Sequence, residues 1–211
     1  MVRASTWVLL LGVSVLSLSA CTTTKVRTFS APSLAATTIE SMAIVPFQDT
    51  RVGPHSALSL NRGIEQAFAA RNPRLRIVGP AEAQVRLGAA HLGEVYAQLV
   101  REYRTSGRLN TGALHQVHTA LNVDAILSGS ITSMVQLDGA PHRPAFTQFT
   151  LTYALIGLRH GGLLWDTAAT VSTERTIFDK APDVDEGLPK AQESISAYLP
   201  TLPYKMGRTD E

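Results

Sequence analysis

Cys21 carries the chain's only thiol, so it cannot join a disulfide within the chain; it is a nucleophile, a ligand or a buried apolar group. His115 and His118 stand three residues apart, which places two imidazoles on one helix face and can hold zinc. No glutamate follows in a metalloprotease pattern and no third ligand stands out. The polar face of an amphipathic helix accounts for the pair, and no metal is expected. Ser128-Gly129-Ser130 offers hydroxyls, but within a strand. A nucleophile elbow needs glycine two before and two after its serine, at a strand–helix turn. A small-residue stripe beneath a closely packed helix explains this segment better. Asp124 and Asp166 flank apolar strands and would form a carboxylate pair if brought together; as strand-end or turn residues they give no acid–base assignment. Gly161-Gly162 suits a turn, whereas a phosphate loop needs far more. Trp165 is either a partner-contact residue or part of the core. No catalytic set emerges and no cofactor is called for. The expectation is a protein that is not an enzyme.

The surroundings of Cys21 are specific. Arg3 charges a short leading segment, and Trp7 to Leu18 is uncharged and mostly apolar. That run is shorter than the roughly 17–25 apolar residues of a membrane-spanning helix, and it has the length of a signal-peptide core. Leu18-Ser19-Ala20-Cys21 resembles the lipobox of bacterial lipoprotein precursors. The resemblance implies a signal peptide over residues 1–20, cleavage before Cys21 and acyl chains, palmitate among them, on that cysteine. More than one chain gives stable anchoring, at about 0.8 kcal/mol per buried methylene. Thr22 follows the cysteine where an aspartate would favour inner-membrane retention in enteric-type bacteria. It points to the outer membrane, on the periplasmic face.

Lysine and arginine total 19 against 17 aspartate and glutamate, so no strong field invites nucleic acid. Residues 21–40 are rich in Thr, Ser, Ala and Pro and are expected to be a lipidated tether. Residues 41–200 are expected to form one domain, and residues 201–211 a flexible tail.

Within the domain, strand and helix alternate. Ser41 to Phe47 reads as a buried strand, and Leu75 to Val78 as a second. Between them Leu60, Ile64 and Phe68 recur at helical spacing until Asn72-Pro73. Pro80 opens a short helix through Leu87; Leu92 to Tyr103 forms another, broken at Ser106-Gly107. Asn110 caps a third, with Leu114, Val117 and Leu121 on one stripe. Residues 124–137, 145–159 and 163–175 then read as an antiparallel meander, and a last helix lies within 184–198, weakened early by Gly187 and Pro189. The fold class is a single-domain α/β sandwich: a mixed sheet, antiparallel in its later strands, with helices packed on it.

Three segments in this order carry a family resemblance. They are Ala43-Ile-Val-Pro-Phe47, Leu121-Asn-Val-Asp-Ala-Ile-Leu-Ser-Gly-Ser-Ile131, and Tyr153 to Asp166 with its tryptophan after a glycine turn. Behind a lipobox, they resemble the superfamily of the TolB amino-terminal domain and the curli secretion lipoprotein CsgG, which includes LpoB- and PelC-like envelope lipoproteins. The resemblance covers residues 41–200. It implies a non-catalytic module that assembles with itself or docks on an envelope protein, serving export or cell-wall synthesis. The CsgG pore needs added membrane hairpins, each strand with roughly 9–11 residues of alternating apolar character. The segment 87–121 reads instead as helices with charged faces.

One loop is singled out for docking. Asp138-Gly-Ala-Pro-His-Arg-Pro144 joins two long strands, is stiffened by two prolines, and presents His142 and Arg143. Two other classes remain open: a periplasmic small-ligand carrier, which would need an enclosed apolar cavity, and an envelope hydrolase, which would need convergent histidine and carboxylate groups.

Overall fold

The computed structural model describes residues 21–203 except Gln48 and His160; for Cys21 and Arg104 it describes the backbone alone. The expected signal peptide and residues 204–211 of the expected tail lie outside the described residues. Six strands and six helices follow one another: β1 Cys21–Ser30, α1 Pro32–Ala36, β2 Ser41–Ile44, α2 Pro54–Arg71, β3 Arg76–Val78, α3 Pro80–Ala89, α4 Gly93–Ser106, α5 Thr111–Leu121, β4 Ala125–Leu137, β5 Phe146–Gly157, β6 Gly162–Glu174 and α6 Val184–Ser196.

The strands make one sheet in the order β1-β6-β5-β4-β2-β3. β2 runs parallel to β3 and to β4, while β4, β5, β6 and β1 are mutually antiparallel neighbours. This is the mixed α/β sheet expected from the sequence, with the meander in its place.

Local chemistry explains the helix ends. Pro54 and Pro80 each occupy a first helical turn, where a missing N–H costs nothing. Asn110 caps α5 by accepting from the Ala113 N–H at 3.1 Å. Gly107 ends α4 at φ 67 and Asn122 ends α5 at φ 51, both left-handed. Asp183 and Glu186 form a capping box at the start of α6. Gly187 has a packing reason: a Cβ there would come within 2.7 Å of the Phe149 ring and 3.1 Å of Val171. The helix-weakening glycine is what lets α6 lie close on the sheet.

Two cores lie on opposite faces of the sheet. On one, Leu60, Ile64 and Phe68 of α2 and Val184, Leu188, Ala191 and Ile195 of α6 pack over Met42, Ile44, Leu127, Phe149, Leu151 and Trp165. On the other, α3, α4 and α5 bring Ala83, Leu87, Leu99, Leu114, Val117 and Leu121 against Ala43, Val78, Ile126 and Ile156. Among the described residues, no helix is long and apolar enough to cross a membrane.

One expectation is corrected here. Residues 21–40, read as a tether, are folded: β1 pairs along its whole length with β6, from Cys21 opposite Glu174 to Ser30 opposite Trp165, and α1 buries Leu34. Thr and Val favour strands, and the run Thr22-Thr-Thr-Lys-Val-Arg-Thr28 is dominated by them. Its polarity fits an edge strand with one bare face.

Candidate functional site

The second core covers β2, β3 and the adjoining ends of β4 and β5 on its face, and among the described residues the rest of the antiparallel strands stays open. Strand register sets what they present. Thr23, Lys25 and Arg27 of β1 lie beside Ser172, Thr170 and Ala168 of β6, and these beside Gln148, Thr150 and Thr152 of β5. A bulge after Ile131 keeps Ser133 and Val135 of β4 in the same surface, opposite Thr150 and Gln148. The hydroxyls bond across strands: Ser130 with Thr152 at 3.0 Å, Ser133 to Thr150 at 2.9 Å, Thr150 with Thr170 at 2.9 Å, and Gln148 to Ser172 at 2.8 Å. These bonds order the face without covering it.

Where the face meets α4 it deepens into a groove of about 470 Å³, walled by Val100, Tyr103 and Gly107 on one side and floored by Ser128, Ser130, Thr152 and Asp166, with Arg27 at the rim. Burial raises the Asp166 carboxyl above its ordinary value, and the Arg27 guanidinium, diagonally across on β1, offsets part of that. Burial also raises the Tyr103 phenol, and the charge of Asp166 adds to it.

No family model matches the chain, and no curated protein matches it. Among solved structures it is similar to the PelC dodecamer from Paraburkholderia phytofirmans, at 19% identity and a TM-score of 0.42, over 87% of this chain and 100% of that one. It is similar to lipoprotein GNA1162 from Neisseria meningitidis at 14% identity and TM-score 0.37, over 75% and 99% of the two chains. The LpoB C-terminal domain from Salmonella enterica stands at 12% identity and TM-score 0.38, over 64% and 84%. The fold assignment itself stands on the strand order and register above.

The residues singled out by sequence are dispersed. Asp124 is not paired with Asp166. Its Oδ2 accepts from the Glu40 and Ser41 N–H groups and the Ser41 hydroxyl, each at 3.0 Å, and its Oδ1 meets the Arg159 guanidinium at 2.7 Å. Asp124 therefore clasps the starts of β2 and β4, while Asp166 sits further along β6, in the groove. His118 bonds the Val123 carbonyl through Nδ1 at 2.8 Å, and His115 is exposed. Among the described residues, no three His, Cys, Asp or Glu gather in a metal-binding cluster.

Ser128 and Ser130 face the groove, and Ser130 is engaged with Thr152. Gly129 between them lies under Tyr153, where a Cβ would come within 2.5 Å of the ring. Trp165, a candidate for partner contact, is corrected to core: it is 1% exposed and meets the Phe68 ring edge-on, centroids 6.4 Å apart. A residue so enclosed offers a partner no surface.

His142 and Arg143 are exposed on a tight hairpin. The Ala140 and Arg143 N–H groups bond each other's carbonyls at 3.0 and 2.9 Å, and His142 takes φ 68. Sequence reasoning did not mark Arg27 or Tyr103. That they line one groove with Asp166 depends on β1 pairing beside β6 and on where α4 lies, and neither leaves a local signal.

Proposed function

We propose that this chain is a lipid-anchored accessory module of the bacterial envelope, held through Cys21 at the periplasmic face of the outer membrane. It works without catalysis, by docking a second copy of itself or an envelope protein that serves export or cell-wall synthesis. The open hydroxyl-rich sheet face carries this reading. It is broad, ordered by cross-strand bonds and bordered by the outer edge of β1, a ten-residue strand whose far side has no neighbour in the sheet among the described residues. Unpaired strand edges and uncovered sheet faces are contact surfaces by construction. The His142–Arg143 hairpin stands at one end of this surface and is proposed to take part.

The groove supports this reading over a small-ligand carrier. A small-ligand carrier needs an enclosed apolar cavity, whereas this one is floored by hydroxyls and a carboxylate.

The test has two arms. Incorporation of a palmitate analogue into the wild type and its absence in Cys21→Ala establishes the anchor; labelling of the variant refutes it. Ser172→Arg places a bulky charge on the face, and the double variant His142→Ala, Arg143→Ala strips the hairpin. Oligomer mass and cross-linking to envelope partners should fall in both while far-UV circular dichroism holds. Wild-type behaviour in both variants would mean the surface is no docking site.

A further inference from the structure

The register of β1 leaves no spare chain between Cys21 and the fold. Cys21 is itself the first residue of the strand, opposite Glu174 of β6, which lies opposite Phe146 of β5, which lies opposite Leu137 of β4. Acyl chains on Cys21 would therefore bring this end row of the sheet against the membrane surface, with no tether to hold it away.

Two large apolar side chains stand exposed at that end. The chain leaving β6 at Glu174 reaches Ile177 and Phe178 within four residues, a span of at most about 14 Å. Ile177 is 43% exposed and Phe178 74%. Large apolar groups so exposed are expected where a surface has a non-aqueous neighbour.

The tip is also built. Phe178 takes φ 75, a left-handed conformation unfavourable for an aromatic residue. The neighbouring hairpin holds it there. The Gly139 N–H donates to the Asp179 carbonyl at 2.9 Å, the Ala181 N–H to the Asp138 carboxylate at 2.8 Å, and the Arg175 N–H to the Ala145 carbonyl at 2.9 Å. Asp179 takes the Thr176 N–H at 3.1 Å and the Thr176 hydroxyl at 2.6 Å. Gly139 allows the approach, since a Cβ on it would lie 2.6 Å from the Phe178 nitrogen. Two of the carboxylates here, Asp138 and Asp179, are thus engaged with the loop, while Lys180 is exposed toward solvent.

We propose that Ile177 and Phe178 form a membrane-seated tip that inserts into the interfacial layer of the leaflet holding the Cys21 lipid, so that the domain stands on the membrane at two points in a fixed orientation. This rests on the lipid anchor proposed above. The acyl chains supply the anchoring, and an inserted apolar tip adds buried apolar area beside them and fixes how the domain stands. Lys180, two residues on, is placed to meet anionic headgroups.

The test uses the mature lipoprotein reconstituted in phosphatidylethanolamine–phosphatidylglycerol vesicles. With Cys21 acylated on sulfur, the cysteine of Phe178→Cys is the only free thiol, and a nitroxide on it reports its surroundings. Ile177→Cys is the second position. Val85→Cys, on α3 and 70% exposed in the wild type, is the aqueous reference. The proposal expects collisions with oxygen to rise and collisions with a water-soluble nickel chelate to fall severalfold at 177 and 178 relative to 85. Equal nickel access at all three positions overturns it. Low access to both reagents at 177 and 178 marks a protein contact, a second copy included, and overturns it too. The mass of the same sample separates the two readings: an acylated chain with an aqueous tip sinks only this inference, and an unacylated Cys21 sinks both.

Discussion

Ser41 and Asp124 bond each other four times. The Ser41 N–H and hydroxyl both reach Asp124 Oδ2 at 3.0 Å, and the Asp124 N–H reaches the Ser41 carbonyl at 3.0 Å and its hydroxyl at 3.2 Å. This couples the starts of two parallel strands, β2 and β4, where no turn joins them. Asp124→Ala would strand buried donors, at about 1–3 kcal/mol for each one left unsatisfied. We expect a drop in melting temperature of several degrees, at about 2–4 °C per kcal/mol for a chain this size. Arg159→Ala should cost under about 1 kcal/mol, because the guanidinium is largely exposed. Thermal unfolding of the two variants checks the ranking; equal losses would place the clasp in the ion pair instead.

The close approach of α6 gives a second prediction with opposed terms. Gly187→Ala gains about 1 kcal/mol of helix propensity. It also forces a methyl against Phe149 and Val171 at distances of 2.7 and 3.1 Å. Overpacking costs about 1–3 kcal/mol where backbone and ring are both held, so a net loss is expected. Chemical denaturation measures it, and a variant more stable than wild type would show that α6 can lift off the sheet.

Asp166 provides a pH signature. Its carboxyl lies above the ordinary 3.8 when folded, chiefly through burial. A carboxyl raised by folding favours the folded state in its protonated form; that contribution is complete below 3.8 and disappears as pH rises through the folded value. At neutral pH the charged group is therefore a burden that an amide lacks. Asp166→Asn should melt at or above the wild-type temperature at pH 7, and the difference should shrink as pH falls toward 4. Melting curves across that range decide it, and a variant less stable at pH 7 would mean the Arg27 attraction outweighs burial.

The legibility of this fold in its sequence divides along physical lines. Strands β4 to β6 and helix α5 were visible because alternation, glycine turns and the Asn110 cap are local signals. The one-sided cover of the sheet was not visible, because Thr150, Thr170 and Ser172 look the same in a strand whether or not a helix lies above them. Trp165 could be read as surface or core for a similar reason: only the arrival of Phe68 from α2 decides. β1 is hidden because Thr, Ser, Ala and Pro across residues 21–40 have the composition of a linker, while its pairing partner lies some 140 residues away.

That strand yields the last prediction. If residues 22–30 were a tether, deleting them from the mature chain would leave the domain's stability unchanged. As β1 they cover the β6 edge from Trp165 to Thr173 and pack Val26 against the α2–α6 core. Losing a partly buried valine alone costs on the order of 1 kcal/mol, and the cross-strand pairs add to that. Deletion also bares a long edge strand rich in Thr and Ala, the kind of edge that recruits other chains. The shortened protein should melt several degrees lower and aggregate with increasing concentration, measured by calorimetry and light scattering. Limited proteolysis of the intact protein should leave 22–30 uncut; early cleavage there, together with an unchanged melting temperature in the deletion, would return the segment to a tether.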